Sequence, residues 1–242
     1  METALKTALI TGSSRGIGFK IAEKLASHGI NICITGRQQE SLDRAQALLK
    51  AHPSSQEVYT AVADLNAAES AERLIQEAGE KLGSIDLLIN NAGISLNKPL
   101  EKTTIDEWNT IMNINARAPF FLCQSALPWL RKSATPTIIQ ISSVVGHAGY
   151  ELQSAYAASK HALLGFTKAF AKEVQQDDIR IYTISPGGVS TEMIASVRPD
   201  LESDSLIEPQ AISNLIWFIL TNRGSAMVDH FVLRRVSKTP WA

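Results

Sequence analysis

Thr11-Gly-Ser-Ser-Arg-Gly-Ile-Gly18 follows a short apolar run, Ala8-Leu-Ile10, and opens into a segment with helical spacing from Ile17. Glycines let the backbone take conformations that a β-carbon forbids, so amide N–H groups and a helix N-terminus can approach a pyrophosphate closely. A dinucleotide is therefore the first ligand this loop predicts, with Gly12, Ser14, Arg15, Gly16, Ile17 and Gly18 around it. The spacing is G-x-x-x-G-x-G rather than the commoner G-x-G-x-x-G, so the reading depends on a strand before the loop and a helix after it.

Both neighbours are present, and the pattern repeats along the chain. Apolar, β-branched runs at 7–10, 30–35, 58–62, 85–89, 137–141, 180–185 and 227–232 alternate with helical spacing at 17–28, 41–51, 67–82, 105–131, 155–174 and 209–220. Such βαβ repetition predicts an α/β protein: one Rossmann-type doubly wound domain over 1–242, about seven parallel strands with helices on both faces. Its ligand crevice lies beyond the C-terminal ends of the strands. The glycine loop, Asp64-Leu65, Asn90-Asn-Ala-Gly93, Ser142-Ser143 and Pro186-Gly187 all fall at that edge. The irregular stretch 188–208 lacks strong periodicity and is a candidate lid over the crevice.

Composition narrows the class further. The 242 residues are 45% hydrophobic and 19% charged, with a formal net charge of −1, which suits a globular protein and predicts no nucleic-acid or anionic-membrane surface. No apolar run approaches the roughly 20 residues that a membrane span needs, and the expected location is the cytoplasm. Cys33 and Cys123 read as small buried hydrophobes without metal-ligand neighbours, and no metal is expected.

Chemistry concentrates at Ser143, Tyr156 and Lys160. Tyr156 and Lys160 are four apart in a helical segment and so share a face. A nearby ammonium favours the ionised form of a phenol whose ordinary pKa is about 10, making Tyr156 a plausible general acid/base. Ser143, at the end of the fifth strand, could donate a hydrogen bond to a carbonyl oxygen. The plainer alternative is a Tyr-x-x-x-Lys pair lying on an exposed helix surface.

Taken together, Thr11-Gly-x-x-x-Gly-x-Gly18, Asn90-Asn-Ala-Gly93, Ser143 with Tyr156-Ala-Ala-Ser-Lys160, and Pro186-Gly187 resemble the short-chain dehydrogenase/reductase family over about residues 5 to 191. That resemblance implies hydride transfer between a nicotinamide and a carbonyl or secondary alcohol, with 3-oxoacyl thioesters or small ketones as substrates. It implies that Asn115, followed by Ala-Arg-Ala-Pro-Phe, is the fourth catalytic residue, its backbone holding a water in a proton relay through Lys160; Asn113 is the competing position. It also implies cofactor contacts from Asp64, Leu65, Asn91, Ala92, Gly93, Tyr156, Lys160, Pro186, Gly187, Val189 and Thr191. Asp64 has a structural alternative as N-cap of the following helix. Substrate contacts would come from 95–99, 144–151, Met193 and Ile194. Family helices matching 105–131 and 155–174 pair between subunits, so a homodimer or homotetramer is expected.

Cofactor choice rests on two arginines and one absence. NAD-selective folds place an acidic side chain after the second strand, where it binds the adenosine ribose. Here that place is Gly36, followed by Arg37, and Arg15 stands in the glycine loop. Two guanidinium groups suit a 2′-phosphate, so NADP(H) is the expected cofactor. The C-terminus departs from the family's common Val-Asp-Gly-Gly ending, reading Met227-Val-Asp-His-Phe-Val-Leu-Arg-Arg235 instead. A protein that binds NADP as a sensor or scaffold, without turnover, is the rival function.

Overall fold

The computed structural model describes residues 4–52, 57–197 and 205–239. Seven parallel strands form one sheet in the order β3-β2-β1-β4-β5-β6-β7: β1 Thr7–Ile10, β2 Asn31–Gly36, β3 Val58–Val62, β4 Leu87–Asn90, β5 Thr137–Ile141, β6 Arg180–Pro186 and β7 His230–Leu233. The order reverses between β1 and β4, which opens a crevice above their C-terminal ends. The helices are α1 Gly16–Ala26, α2 Gln39–Lys50, α3 Ser70–Leu82, α4 Ile105–Met112, α5 Ala118–Leu130, α6 Ser154–Glu173, α7 Glu192–Val197 and α8 Pro209–Thr221.

Strands buried on both faces carry near-continuous apolar runs rather than alternation, and β1, β4 and β5 are buried at every position. The period of two then divides each run between two cores. Ala8, Ile10, Ile32, Ile34, Leu87, Ile89, Ile139 and Ile141 pack with Ile21 and Leu25 of α1, Leu42 of α2 and Ile212 and Ile216 of α8. Leu9, Cys33, Leu88 and Ile138 face the other way, onto Leu74 and Ile75 of α3 and Leu122 and Cys123 of α5. Each fully buried Leu or Ile contributes about 1.5–3 kcal/mol. Burial pushes both thiols up to about 12, so neither cysteine is a nucleophile at neutral pH.

Two segments depart from the expected pattern. The single helix expected over 105–131 is two helices joined by a π turn, Asn113–Arg117, in which the Ala118 N–H donates to the carbonyl of Asn113 five residues back. Pro119 has no N–H to offer the carbonyl of Asn115, so regular α bonding is interrupted there by covalent structure. The helix expected from 67 begins at Ser70, after a turn in which the Ala67 N–H donates to the Asp64 carbonyl at 3.0 Å. The candidate lid, 188–208, contains α7 and a parallel bridge between Val189 and Ile207, while residues 198–204 of it lie outside the described residues.

Candidate active site

The glycine loop is built by close approach. Gly12 and Gly16 have φ of 61° and 59°, the left-handed region that glycine enters without penalty. A β-carbon on Gly18 would lie 2.5 Å from both the Gly12 carbonyl oxygen and Asn91 Nδ2. Asn91 Nδ2 donates to the carbonyls of Thr11 at 2.8 Å and Gly12 at 2.9 Å, and Thr11 Oγ1 accepts from the N–H groups of Asn91 and Ala92 at 3.0 Å each. The end of β4 thereby holds the loop after β1, and the Asn91 side chain is committed to that clamp. Ser13 Oγ accepts from the Thr35 N–H at 2.9 Å and donates to the Ile10 carbonyl at 2.6 Å, tying the same loop to β2. The next residues of β2 place Gly36 beside Ser14, whose Oγ would be 3.4 Å from a β-carbon there.

Around this loop lie the other expected contacts. Ile17 is half-buried against the core, and Leu65 is buried among Ala61, Ala63 and Ala71. Asp64 is exposed at the end of β3, its carboxylate accepting from the Asn66 N–H at 3.0 Å; with α3 starting at Ser70, it does not cap that helix. The side chain of Thr191 faces the loop, its Cγ2 standing 3.5 Å from where a Gly16 β-carbon would be. Gly187 is fixed to β7 by donating its N–H to the Leu233 carbonyl at 2.8 Å, and Val189 is buried. Arg37 is exposed and has no ion pair among the described residues, whereas Arg15 pairs with Glu192 of α7. Nothing in the sequence flagged Glu192, because the two residues are 177 positions apart.

The four proposed catalytic side chains converge at the same edge. Asn115 is fully buried in the π turn. Its Nδ2 donates to the Ile94 carbonyl at 2.8 Å and Ser159 Oγ at 3.0 Å, and its Oδ1 accepts from the Ile94 N–H at 2.9 Å. Gly93 faces both Asn115 and Lys160, since a β-carbon there would lie 3.2 Å from Asn115 Oδ1 and 3.6 Å from Lys160 Nζ. Asn113 is directed elsewhere, donating to Asn66 Oδ1 at 3.0 Å. Ser159 connects Asn115 to α6 by also donating to the Tyr156 carbonyl at 2.7 Å; its place beside Lys160 was visible, but not its partner.

Lys160 is 4% exposed and donates to the Ile141 carbonyl at 3.0 Å, with Nζ 5.9 Å from the Tyr156 ring centroid. Burial pulls its ammonium down to about 8. Burial also holds the Tyr156 phenol above its ordinary range, opposed by a hydrogen bond with Ser143. The expected lowering of the phenol by Lys160 is thus not what this arrangement shows, because the ammonium is turned to Ile141. At neutral pH the site presents a protonated phenol, a charged lysine and a serine hydroxyl. Ser143 Oγ also accepts from the Val145 N–H at 3.2 Å, which fixes its rotamer.

The segment 95–99, expected to meet substrate, is tied to α7 and to the residue after 144–151. Asn97 Nδ2 donates to the Val197 carbonyl of α7 at 3.2 Å, and the Lys98 N–H donates to the Leu152 carbonyl at 2.7 Å. Met193 on α7 is exposed.

A parallel sheet of this strand order, with a glycine loop after β1 and polar side chains gathered at its switch point, defines a doubly wound nucleotide-binding protein. The chain belongs to the short chain dehydrogenase family, whose sequence model matches residues 6–202. It is 34% identical over 201 residues to 3-oxoacyl-acyl-carrier-protein reductase FabG of Chlamydia trachomatis, covering 83% of this chain and 81% of that one. Among solved structures it is similar to a metagenomic short-chain oxidoreductase in complex with NADP, at 28% identity and a TM-score of 0.82, covering 95% of this chain and 96% of the other. It is also similar to an alcohol dehydrogenase of the archaeon Thermococcus sibiricus complexed with 5-hydroxy-NADP, at 25% identity and a TM-score of 0.89, covering 98% of this chain and 99% of the other. Among the described residues, no helix is long and apolar enough to cross a membrane.

Proposed function

We propose that this protein is an NADP(H)-dependent oxidoreductase that interconverts a ketone and a secondary alcohol. The observation that carries the reading is the meeting of Asn115, Ser143, Tyr156 and Lys160 beside the glycine loop, at one edge of the sheet. The loop fits a dinucleotide: Gly18 leaves no room for a side chain where Thr11, Gly12 and Asn91 interlock, and Thr191 faces Gly16 across it. When bound, NADPH supplies a hydride to the carbonyl carbon. Ser143 holds the carbonyl oxygen, and the Tyr156 O–H bond breaks as its proton passes to that oxygen. Lys160 returns a proton toward the phenolate, and Asn115 positions α6 and the Ile94 backbone around it. Reversed, the same groups oxidise an alcohol.

A 3-oxoacyl thioester is the substrate class to try first, given the likeness to FabG, with simple ketones and diketones beside it. The test is NADPH oxidation by the purified protein across a panel of these carbonyls. Turnover of one class supports the reading, and saturable NADPH binding with no turnover on any of them supports the sensor alternative. Exposed Ile105, Trp108, Phe120 and Phe121 on α4 and α5 support assembly into a dimer or tetramer through that face.

Selectivity is tested at Arg37, which follows β2 where an acidic residue would bind the ribose. Arg37→Asp removes a bidentate phosphate partner and places a carboxylate there. The ratio of kcat/KM for NADPH over NADH falls at least tenfold, about 1.4 kcal/mol; an unchanged ratio defeats the assignment.

The pH dependence follows from Lys160. Reduction needs the lysine charged and the phenol protonated. With Lys160 at about 8 and Tyr156 above its ordinary range, kcat/KM for reduction is flat below about pH 7, is halved near pH 8 and falls further as the ammonium deprotonates. A falling limb only above pH 10 would assign the profile to Tyr156 alone.

A further inference from the structure

Three side chains from distant parts of the chain meet beside the catalytic loop. His147 follows the short turn Val144–Gly146, Ser185 lies in β6 and His230 opens β7. His230 Nε2 is 2.8 Å from Ser185 Oγ, His147 Nε2 is 3.3 Å from the same oxygen, and the two Nε2 atoms are 3.2 Å apart. The imidazoles are stacked at 26°, with centroids 4.5 Å apart, so the two Nε2 atoms lie closer together than the ring centres.

All three corners of this triangle are Lewis bases. With both rings neutral, one Nε2–H and the Ser185 hydroxyl close two of the three edges, and a second Nε2–H would set two donors against each other. Ligand atoms bound to tetrahedral zinc at about 2.0–2.1 Å stand roughly 3.3 Å apart, so the triangle has the dimensions of one face of such a coordination shell. We propose that His147 and His230 bind a divalent transition-metal ion, with Ser185 Oγ beside it and water completing the shell on the exposed His147 side.

The chemistry selects the class of ion. Imidazole suits zinc, nickel and copper, whereas magnesium and calcium prefer carboxylate and carbonyl oxygen. No group of three or more His, Cys, Asp or Glu suited to a metal occurs among the described residues, so this is a two-histidine site that draws on a hydroxyl and solvent. The titratable groups facing it are His161 and Lys168 of α6. Burial, aided by Lys168 from α6, keeps both imidazoles below the ordinary histidine range, in the neutral form that a metal requires. Lys168 also repels a cation, which makes the site one of moderate affinity. The site ties the loop four residues beyond Ser143 to the strand that ends at Pro186, and it does not depend on the proposed reaction.

The test is calorimetric titration of zinc chloride, and separately nickel chloride, into untagged full-length protein stripped with a chelator, at pH 7.5. One saturable site is expected for each metal, with no heat from magnesium chloride. His147→Ala, at an exposed loop position, and His230→Ala each weaken binding at least tenfold, while His161→Ala leaves it within about twofold. Lowering the pH to 5.5 weakens wild-type binding as protons compete for the imidazoles. The absence of saturable zinc or nickel binding, or unchanged binding by a folded His147→Ala/His230→Ala double variant, overturns the proposal.

Discussion

Tyr156→Phe lowers carbonyl reduction by about 10²–10⁴-fold while leaving NADPH affinity within about twofold. The substitution removes one hydroxyl and keeps the ring where α6 places it. What is lost is the phenol hydroxyl that bonds to Ser143, and with it the proton for the developing alkoxide. Binding survives because the glycine loop is held by Asn91, Thr11 and Ser13, none of which touches the Tyr156 hydroxyl. The measurement is kcat and kcat/KM on whichever carbonyl the protein turns over, with NADPH affinity from fluorescence titration. Activity within tenfold of wild type would move the acid role to another group, and parallel loss of binding would make Tyr156 a folding residue.

Gly18→Ala weakens NADPH binding at least about 100-fold, equivalent to roughly 2.7 kcal/mol, and lowers the melting temperature. The new methyl would meet the Gly12 carbonyl and Asn91 Nδ2 at 2.5 Å and Ser13 Cα at 2.8 Å. Two of these are backbone atoms of the phosphate loop itself, so relief requires moving the groups that would bind the ligand. Overpacking of this kind costs about 1–3 kcal/mol, a fall in Tm of roughly 2–12 °C for a chain of this size. Gly165→Ala is the control: Gly165 is an exposed position of α6 with nothing within 4 Å of an added β-carbon, and the change is neutral or stabilising by up to about 1 kcal/mol. Equal effects of the two substitutions in thermal melts and binding would remove the steric account.

The alternation of apolar runs was legible because strands buried on both faces leave little room for polar residues, and six of the seven begin within two residues of the expected start. The last was placed early, at 227 rather than His230, because Met227 and Val228 are apolar but exposed. The π turn at Asn113–Arg117 was not legible, since it is a difference of one residue in backbone pairing that side-chain periodicity over 105–131 does not record. Pro119 was the available signal. The four converging side chains could be named because each sits in a local motif. Their interactions could not, since Lys160 turns to Ile141 and Asn115 to Ile94 through the packing of α6 and β5. The meeting of His147, Ser185 and His230 depends on contacts across 38, 45 and 83 positions, beyond any local pattern.

The central position of β1 bears on how the chain acquires its fold during synthesis. Residues through Val62 suffice for the β3-β2-β1 half of the sheet, with Ile32 aligned to Val58 and Thr7 to Asn31, but β1's other edge pairs only with β4, Ala8 to Leu87. At about 5–20 residues per second, a ribosome takes a few seconds to deliver that partner, and more before it clears the exit tunnel. Over that interval the apolar face of Leu9 and the open edge of β1 are uncovered, so the nascent chain is exposed to aggregation and chaperone capture between the third strand and the fourth.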